Sequence, residues 1–458
     1  MSKRKKKLTK NLLPIYVKQY NDWKKTDAAI PPEKVISTQK LLREIKQELA
    51  EAKSGNAAAY ALKRKWQEVK EFVRNRSRDE LDEVYRLMWV PKGISDFRRL
   101  EPELIWIKDK TTFETIDFWG ERKTEEIENP DPLNKHWEII RTLVSSQTHD
   151  GTIGRSLRFL VRDRHSQKYL GVICVSGDML ALSPRNAAIW GDKVDNKVAQ
   201  AAWKKVINHS ANGSSIISVQ PFGYNYFGGK LLALLCLSKP VADLWKKQYG
   251  HTLVCLTTTS LWASMKKGVS QYDGMKPYWD NVGETAGTTP LKISEELYFQ
   301  MRDWMKKNYP QDYHFHFVAK DKKGQIAQRD NKNRAIEWCY KKLGLKKEDY
   351  QSGHTRGIYF ARLYKNTDAF LRGEITEDKL EPAFDNSIEE LTKFWAYGRR
   401  GDTGSKKSEG LKGMTKHRLD RLMREKTLKA QYKPNWYRSV AFKTYAETAA
   451  LWGDEVGR

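Results

Sequence analysis

The chain has 458 residues and a formal net charge of +26, with 83 Lys and Arg against 57 Asp and Glu. A hydrophobic fraction of 39% and 16 Trp exclude a disordered polymer. The sequence has no run of about 18 apolar residues, so no transmembrane helix is expected.

Lys3-Arg4-Lys5-Lys6-Lys7 has no apolar segment behind it, so no secretory leader is expected. Cys174, Cys236, Cys255 and Cys339 are far apart and sit in apolar segments. They read as reduced core residues of a cytoplasmic protein, with neither a zinc pairing nor a disulfide framework. No metal site is expected. The length predicts roughly two to four domains. The excess of cations predicts a polyanionic partner, most often nucleic acid.

In chain order, residues 1–28 read as a basic tail; residues 1–25 carry nine Lys and Arg, interleaved with Tyr16, Tyr20 and Trp23. Residues 29–95 read as a helical hairpin. Its first helix opens at Pro31-Pro32-Glu33 and repeats Leu41, Leu42, Ile45 and Leu49; its second runs over residues 57–76. Such a hairpin offers an arm for a protein partner. Residues 96–134 read as two short strands, Leu104–Ile107 and Phe113–Trp119, and an acidic linker.

Residues 135–290 form the core. An amphipathic helix over Lys135–Gln147 precedes two hairpin strands, Leu157–Asp163 and Tyr169–Ser176, about the turn Arg164–Gln167. A long polar connection, Gly177–Gly213, carries Asp178, Arg185, Asn186, Trp190, Asp192, Asn208 and His209; such connections are where binding groups collect. Then come a strand (Ser215–Val219), a glycine- and aromatic-rich loop (Pro221–Lys230), one apolar helix (Leu231–Tyr249) and a strand (His251–Leu256). A glycine loop between a strand and a helix N-terminus offers backbone N–H groups to an anion.

Residues 291–385 read as an α/β accessory domain: a helix over Ile293–Asn308, a strand over Tyr313–Val318 with His314 and His316 on one face, and a helix over Arg334–Leu343. The segment His354–Tyr364 gathers polar and aromatic groups. His354 suits proton transfer, Arg356 and Arg362 suit phosphate, and the bland alternative is a helix start with a charged rim. Residues 386–458 read as a basic, mainly helical nucleic-acid-binding region. Twelve Lys and Arg between 399 and 433, among them Arg399, Arg400, Lys406, Lys407, Arg418 and Arg421, stand beside Tyr432, Trp436 and Tyr437.

The order strand, glycine loop, helix, strand, then Tyr278-Trp279-Asp280-Asn281-Val282-Gly283, resembles the core of the GNAT acyltransferases. The resemblance implies an α+β fold with a GNAT-like mixed sheet, and acetyl-CoA or another acyl-CoA as cofactor. Val219, Gly223, Asn225, Gly228, Gly229 and Lys230 would line its pyrophosphate. The loop Asn225-Tyr226-Phe227-Gly228-Gly229-Lys230 keeps the first glycine of Gln/Arg-x-x-Gly-x-Gly/Ala, with Asn225 for Gln/Arg and Lys230 for the last small residue. By the same resemblance Asp178 or Asp192 would be the base and Tyr272 or Tyr278 the acid toward the leaving thiolate. The DNA-modifying Mom-like members of that superfamily imply acyl transfer to a base in DNA. Tyr226 would stack on the base, and Arg185 and Arg356 would help hold the strand.

A second resemblance rests on Tyr169-Leu170-Gly171-Val172-Ile173, Ile207-Asn208-His209-Ser210, the glycine loop and Trp245-Lys246-Lys247-Gln248-Tyr249-Gly250-His251. These segments resemble the DruA family, components of Druantia anti-phage systems with phage and mobile-element relatives. That resemblance implies a protein of a prokaryotic or phage-infected cell working near DNA. Two functions follow from the residues: an acyltransferase acting on DNA, or a non-catalytic DNA-binding component of a defence system.

Overall fold

A computed structural model describes residues 16–25, 35–53, 65, 68–69, 72–91, 96–97, 99–108, 131–145, 154–219, 222–223, 227–260, 272, 275–286, 291, 293–320, 331–351 and 355–397. The chain divides into two units. One comprises residues 1–60 and 286–354, the other residues 61–285 and 355–458.

The first unit is helical where described. In the helix Thr38–Lys53, Leu41, Ile45, Leu49 and Ala52 fall on one buried stripe. They pack against Glu295–Asn308 and Asn331–Lys342, around Met301, Trp304, Met305, Cys339 and Tyr340. The Glu48 carboxylate accepts from both the N–H (2.7 Å) and the hydroxyl (2.5 Å) of Ser294, the N-cap of the second helix. Trp304 Nε1 donates to Thr38 Oγ1 (2.9 Å). The expected hairpin partner of this helix, residues 57–76, is assigned to the other unit from residue 61 onward, and most of it lies outside the described residues.

The expected strand Tyr313–Val318 is a helix, Pro310–Phe317. The alternation Tyr-His-Phe-His-Phe suits a strand, but Pro310 supplies a fixed φ at the helix start and Asp312 a negative charge in its first turn. His314 and His316 are both buried, among rings.

The second unit is built on one seven-stranded mixed sheet. Its described elements, in chain order, are α1 (Arg78–Arg86), β1 (Pro102–Ile107), α2 (Leu133–Val144), β2 (Ser156–Asp163), β3 (Tyr169–Gly177), α3 (Ser183–Trp190), α4 (Asn196–Val206), β4 (Ser210–Ser218), α5 (Gly228–Leu235), α6 (Lys239–Tyr249), β5 (Cys255–Ser260), β6 (Asp280–Glu284), β7 (Gly357–Arg362), α7 (Thr367–Arg372) and α8 (Ile388–Tyr397). The sheet order is β1-β2-β3-β4-β5-β7-β6. Only β4 and β5 are parallel; every other pair is antiparallel.

The hairpin of β2 and β3 forms where alternation places it. Its turn is held by the Asp163 carboxylate, which accepts from the N–H and hydroxyl of Ser166. β3 is buried along almost its whole length, with α2 packing on it; Trp137 Nε1 donates to Ile173 O (3.3 Å). The expected strand Phe113–Trp119 lies outside the described residues, and β1 instead pairs with β2.

Three boundaries differ from the sequence reading. The apolar helix is two helices, α5 and α6, because Pro240 in the first turn of α6 cannot continue the preceding helix. β5 begins at Cys255 rather than His251; the β-branched run Thr257-Thr258-Thr259 favours the later start. The segment after His354 is a central strand, β7, rather than a helix start. Its N-terminal end, Gly357, pairs with Ser260 of β5 and Glu284 of β6. Residues 286–354 are therefore an insertion between β6 and β7. Both of its connections leave from the sheet end reached by the C-terminus of β5. The second unit closes that opening itself: Thr285 N–H donates to Arg356 O (2.9 Å), and Arg356 N–H donates to Thr285 Oγ1 (2.9 Å).

Candidate functional site

β4 and β5 are parallel neighbours that part company within the sheet. They share three residue pairs, Ser210–Cys255, Ala211–Leu256 and Asn212–Thr257. The ladder ends where Thr258 Oγ1 donates to Gly213 O (3.0 Å). At that point β4 carries a bulge: Val175 pairs with Gly213 and Cys174 with Ser215, leaving Ser214 as the extra residue. The Ser214 hydroxyl donates back to Cys174 O (3.2 Å). Beyond the bulge Ile216 and Ile217 are half-exposed, and among the described residues β4 has no further pairing with β5. Among the described residues no strand covers that edge of β4. Ligands of open α/β sheets bind in such crevices, outside the carboxyl ends of strands.

The glycine loop stands at the same end. Val219 is fully buried, and its N–H donates to Leu170 O (2.9 Å). Gly223 N–H donates to Val219 O (2.8 Å). Phe227, with φ +58, is the N-cap of α5, and no side chain caps that helix. A bulky residue held left-handed beside a glycine pair is an unusual backbone state, and such states cluster at binding sites. Trp395 of α8 holds it, donating from Nε1 to Phe227 O (3.1 Å).

Gly228 has a packing reason to be glycine. A Cβ there would lie 2.6 Å from Phe222 Cε1 and 2.9 Å from Cγ. The Phe222 ring is itself wedged against Trp89 and Trp395. Gly229 is half-exposed. Lys230 is only 6% exposed, with Nζ 5.5 Å from the centre of the Phe227 ring. Asn225 and Tyr226 lie outside the described residues.

The groups assigned to proton transfer are not gathered at the loop. Asp178 sits at the other end of β4, where it ties three segments together. Its Oδ2 accepts from Ser210 Oγ (2.6 Å), and its Oδ1 accepts from Thr257 Oγ1 (2.6 Å) and Met179 N–H (2.6 Å). Arg185 pairs with it at 3.3 Å, and both side chains are 0% exposed. Arg185, expected at a nucleic-acid surface, is thus an interior residue. Its guanidinium lies 3.7 Å over the Trp203 ring and donates to Met179 O (2.7 Å) and Asn186 Oδ1 (2.8 Å). Burial pushes the Arg185 guanidinium down, and the Asp178 carboxylate opposes that shift. The neighbouring Cys255 thiol is pushed up to about 12, chiefly by burial, which makes it inert.

Asp192 lies in the exposed turn between α3 and α4. Tyr272 is buried against the Tyr359 and Trp279 rings. Tyr278 packs edge-on against Phe384 (4.6 Å) and Phe394 (4.5 Å). Arg356 is exposed beside the connection to the inserted unit. His354, Arg399, Arg400, Lys406, Lys407, Arg418 and Arg421 lie outside the described residues. Among the described residues no cluster of His, Cys, Asp or Glu is suited to hold a metal ion, and no helix is long and apolar enough to cross a membrane.

One group escaped the sequence reading. Asn212, at the last β4–β5 pair, has a buried Oδ1 without a hydrogen-bond partner among the described residues. It shares a strand face with Ser210 two residues away. Only the strand pairing makes it stand out; in the sequence it is one Asn among many. A buried acceptor left open where two strands diverge is suited to receive an N–H from a ligand.

The fold defines a mixed α/β protein in which a parallel strand pair diverges beside a strand–glycine loop–helix junction. The family model described as Druantia protein DruA matches residues 121–373, and the chain belongs to the DruA family. The chain is similar to a curated relative, Druantia protein DruA of Escherichia coli (strain UMEA 4076-1), at 24% identity over 233 residues. The match covers 48% of this chain and 54% of the relative. The chain therefore spans about half the length of that relative. No solved structure matches.

Proposed function

We propose that the chain transfers an acyl-type group from an acyl-coenzyme A to a base in nucleic acid, as part of an anti-phage or mobile-element system. The observation that carries this reading is the crevice. Among the described residues one strand pair is parallel; it parts after Asn212, and the N-terminus of α5, without a side-chain cap, stands at the same end of β4. A seven-stranded sheet with one parallel pair at a strand–loop–helix–strand unit is consistent with the GNAT-like core that the sequence resembles.

The residues fit a phosphate-bearing cofactor at the loop: glycines lead the helix and no side chain competes for its first N–H groups. A bound acyl-coenzyme A would supply an activated acyl carbon, to which an exocyclic amine bonds as the carbon–sulfur bond breaks and the sulfur takes a proton. The Gly228 and Gly229 N–H groups would hold the pyrophosphate. Asn212 Oδ1 would accept from the incoming amine and orient it. That amine must leave a duplex to reach the crevice, so the base is flipped out or single-stranded.

Because Asp178 is enclosed and fully hydrogen-bonded, the base is sought elsewhere; Asp192 is the exposed candidate. Lys230 favours a second reading, a non-catalytic DNA-binding component. It places a long buried side chain at the third position of α5, where the cofactor loop has a small residue.

The cofactor is tested by thermal unfolding with and without acetyl-coenzyme A. Gly229→Trp is the informative variant, because substitution at Gly228 would also displace Phe222. At about 100 times the dissociation constant, ligand is expected to add about 3 kcal/mol to the unaltered protein and raise its Tm by several degrees. The variant is expected to show no shift. An unaltered protein indifferent to acetyl-coenzyme A, succinyl-coenzyme A and free coenzyme A alike would leave the binding-component reading standing.

A further inference from the structure

The helical unit carries cations that are paired with rings rather than with acids. Arg302 lies 5.1 Å from the centre of the Phe317 ring and 5.9 Å from that of Phe299, and donates to the Tyr313 hydroxyl (3.3 Å). Its Nε is buried without an acceptor among the described residues. Lys342, on an exposed stretch of helix, lies 4.9 Å from the Tyr309 ring centre and 5.1 Å from that of Trp338. Among the described residues no carboxylate is within ion-pair distance of either. Asp303, next to Arg302 on the same helix, and Asp312 on the following helix form no ion pair with either. By contrast the adjacent Lys341 pairs with Glu337 at 3.1 Å. Two cations held over rings, with no carboxylate partner among the described residues, leave positive charge available to an incoming anion.

The rings themselves are incompletely buried. Residues 16–25 form a helix whose Trp23 lies 5.9 Å from Tyr313, and Tyr313 lies 5.1 Å from Phe317. All three are half-exposed, and Phe299 is 49% exposed. Lys306 lies 6.0 Å from the Trp23 ring centre. Half-exposed rings interleaved with cations are the two components of a surface that binds single strands: rings stack on unpaired bases and cations follow the phosphates. A duplex keeps its bases stacked and would meet only the cations.

We propose that this aromatic and cationic face of the helical unit binds single-stranded nucleic acid. The proposal deepens the nucleic-acid half of the function proposed above and rests on it, but is independent of the acyl cofactor.

The test uses the full chain, with fluorescence anisotropy of a labelled oligothymidylate and of a mixed-sequence duplex of equal length. Arg302→Ala with Lys342→Ala is expected to weaken oligothymidylate binding about tenfold, and Trp23→Ala about fivefold or more. Trp23→Ala is expected to change duplex binding by no more than about twofold, since a stacked duplex meets the cations and not the rings, whereas the double variant is expected to weaken duplex binding as well. The double variant is also expected to lower the magnitude of the log–log salt slope for the single strand by about 1.4. Lys342→Glu, at an exposed position, is the second variant should the double substitution lower Tm.

Folded variants that hold oligothymidylate as tightly as the unaltered chain would overturn the proposal. So would equal losses on duplex and single strand in Trp23→Ala, or displacement by polyglutamate as effective as by oligothymidylate, which would indicate an acidic protein partner. An unaltered chain that binds neither nucleic-acid probe would defeat both this proposal and the nucleic-acid half of the proposed function. The thermal response to acetyl-coenzyme A would be untouched by that result.

Discussion

Asp178→Ala is expected to destabilise the second unit by about 3–5 kcal/mol, because it strands a buried guanidinium without its counter-charge. Arg185 is 0% exposed and cannot reach water without opening the face that carries α3 and α4. The hydroxyls of Ser210 and Thr257 would lose their shared acceptor at the point where β4 and β5 are paired. A loss of that size is a large part of the roughly 5–15 kcal/mol that holds a typical domain together. The measurement is the urea midpoint of the variant, followed by tryptophan fluorescence. Asp178→Leu combined with Arg185→Leu is expected to recover part of the loss, since removing both charges leaves none uncompensated. A single variant that unfolds like the unaltered protein yet loses activity would instead make Asp178 a chemical group.

Gly171→Ala is the second large effect. Gly171 has φ +155, and a Cβ there would lie 2.5 Å from Leu232 Cδ2 and 2.7 Å from Ser218 Cα, and nearer still to the Ile217 carbonyl oxygen. Two of those atoms are backbone of β4, which cannot swing aside. The substitution would force β4 away from β3 and lift α5, the helix that presents the glycine loop. A cost at or above the roughly 3 kcal/mol upper range for overpacking is expected. Gly250→Ala is the control: φ is +72, but nothing lies within 4 Å, so only backbone strain of about 1–2 kcal/mol is expected. Comparable urea midpoints for the two variants would show that the close approach at Gly171 is not what the fold depends on.

Local patterns in the sequence reached local structure. The β2–β3 hairpin, α2, the glycine loop at the head of α5 and the helix Glu295–Asn308 follow from alternation, helical spacing and turn residues between near neighbours. What escaped depends on partners far along the chain. Thr38–Lys53 shows its stripe plainly, but nothing in it says that the stripe packs on residues 291–351 rather than on the next helix. The segment His354–Tyr364 shows polar and aromatic residues together, and only pairing with β5 and β6 makes it a strand. Pro310 and Pro240 each stand in the first turn of a helix, one ahead of a strand-like alternation and the other inside an apolar run that hides the helix start.

The site divides in the same way. The glycine loop was visible because backbone conformation is written in glycines. Asp178 and Arg185 were visible as polar residues in a long connection, but their mutual burial, which turns two surface roles into one interior pair, was not. Asn212 became distinctive only once β4 and β5 were seen to diverge at it.

The most direct test of acyl transfer to nucleic acid is mass analysis of nucleosides from the DNA of cells that express the chain, beside cells that express the Gly229→Trp variant at equal level. The account predicts a heavier nucleoside with the unaltered chain that disappears with the variant. Ordinary nucleosides alone, from cells holding abundant folded protein that binds DNA and gains no stability from coenzyme A, would contradict it.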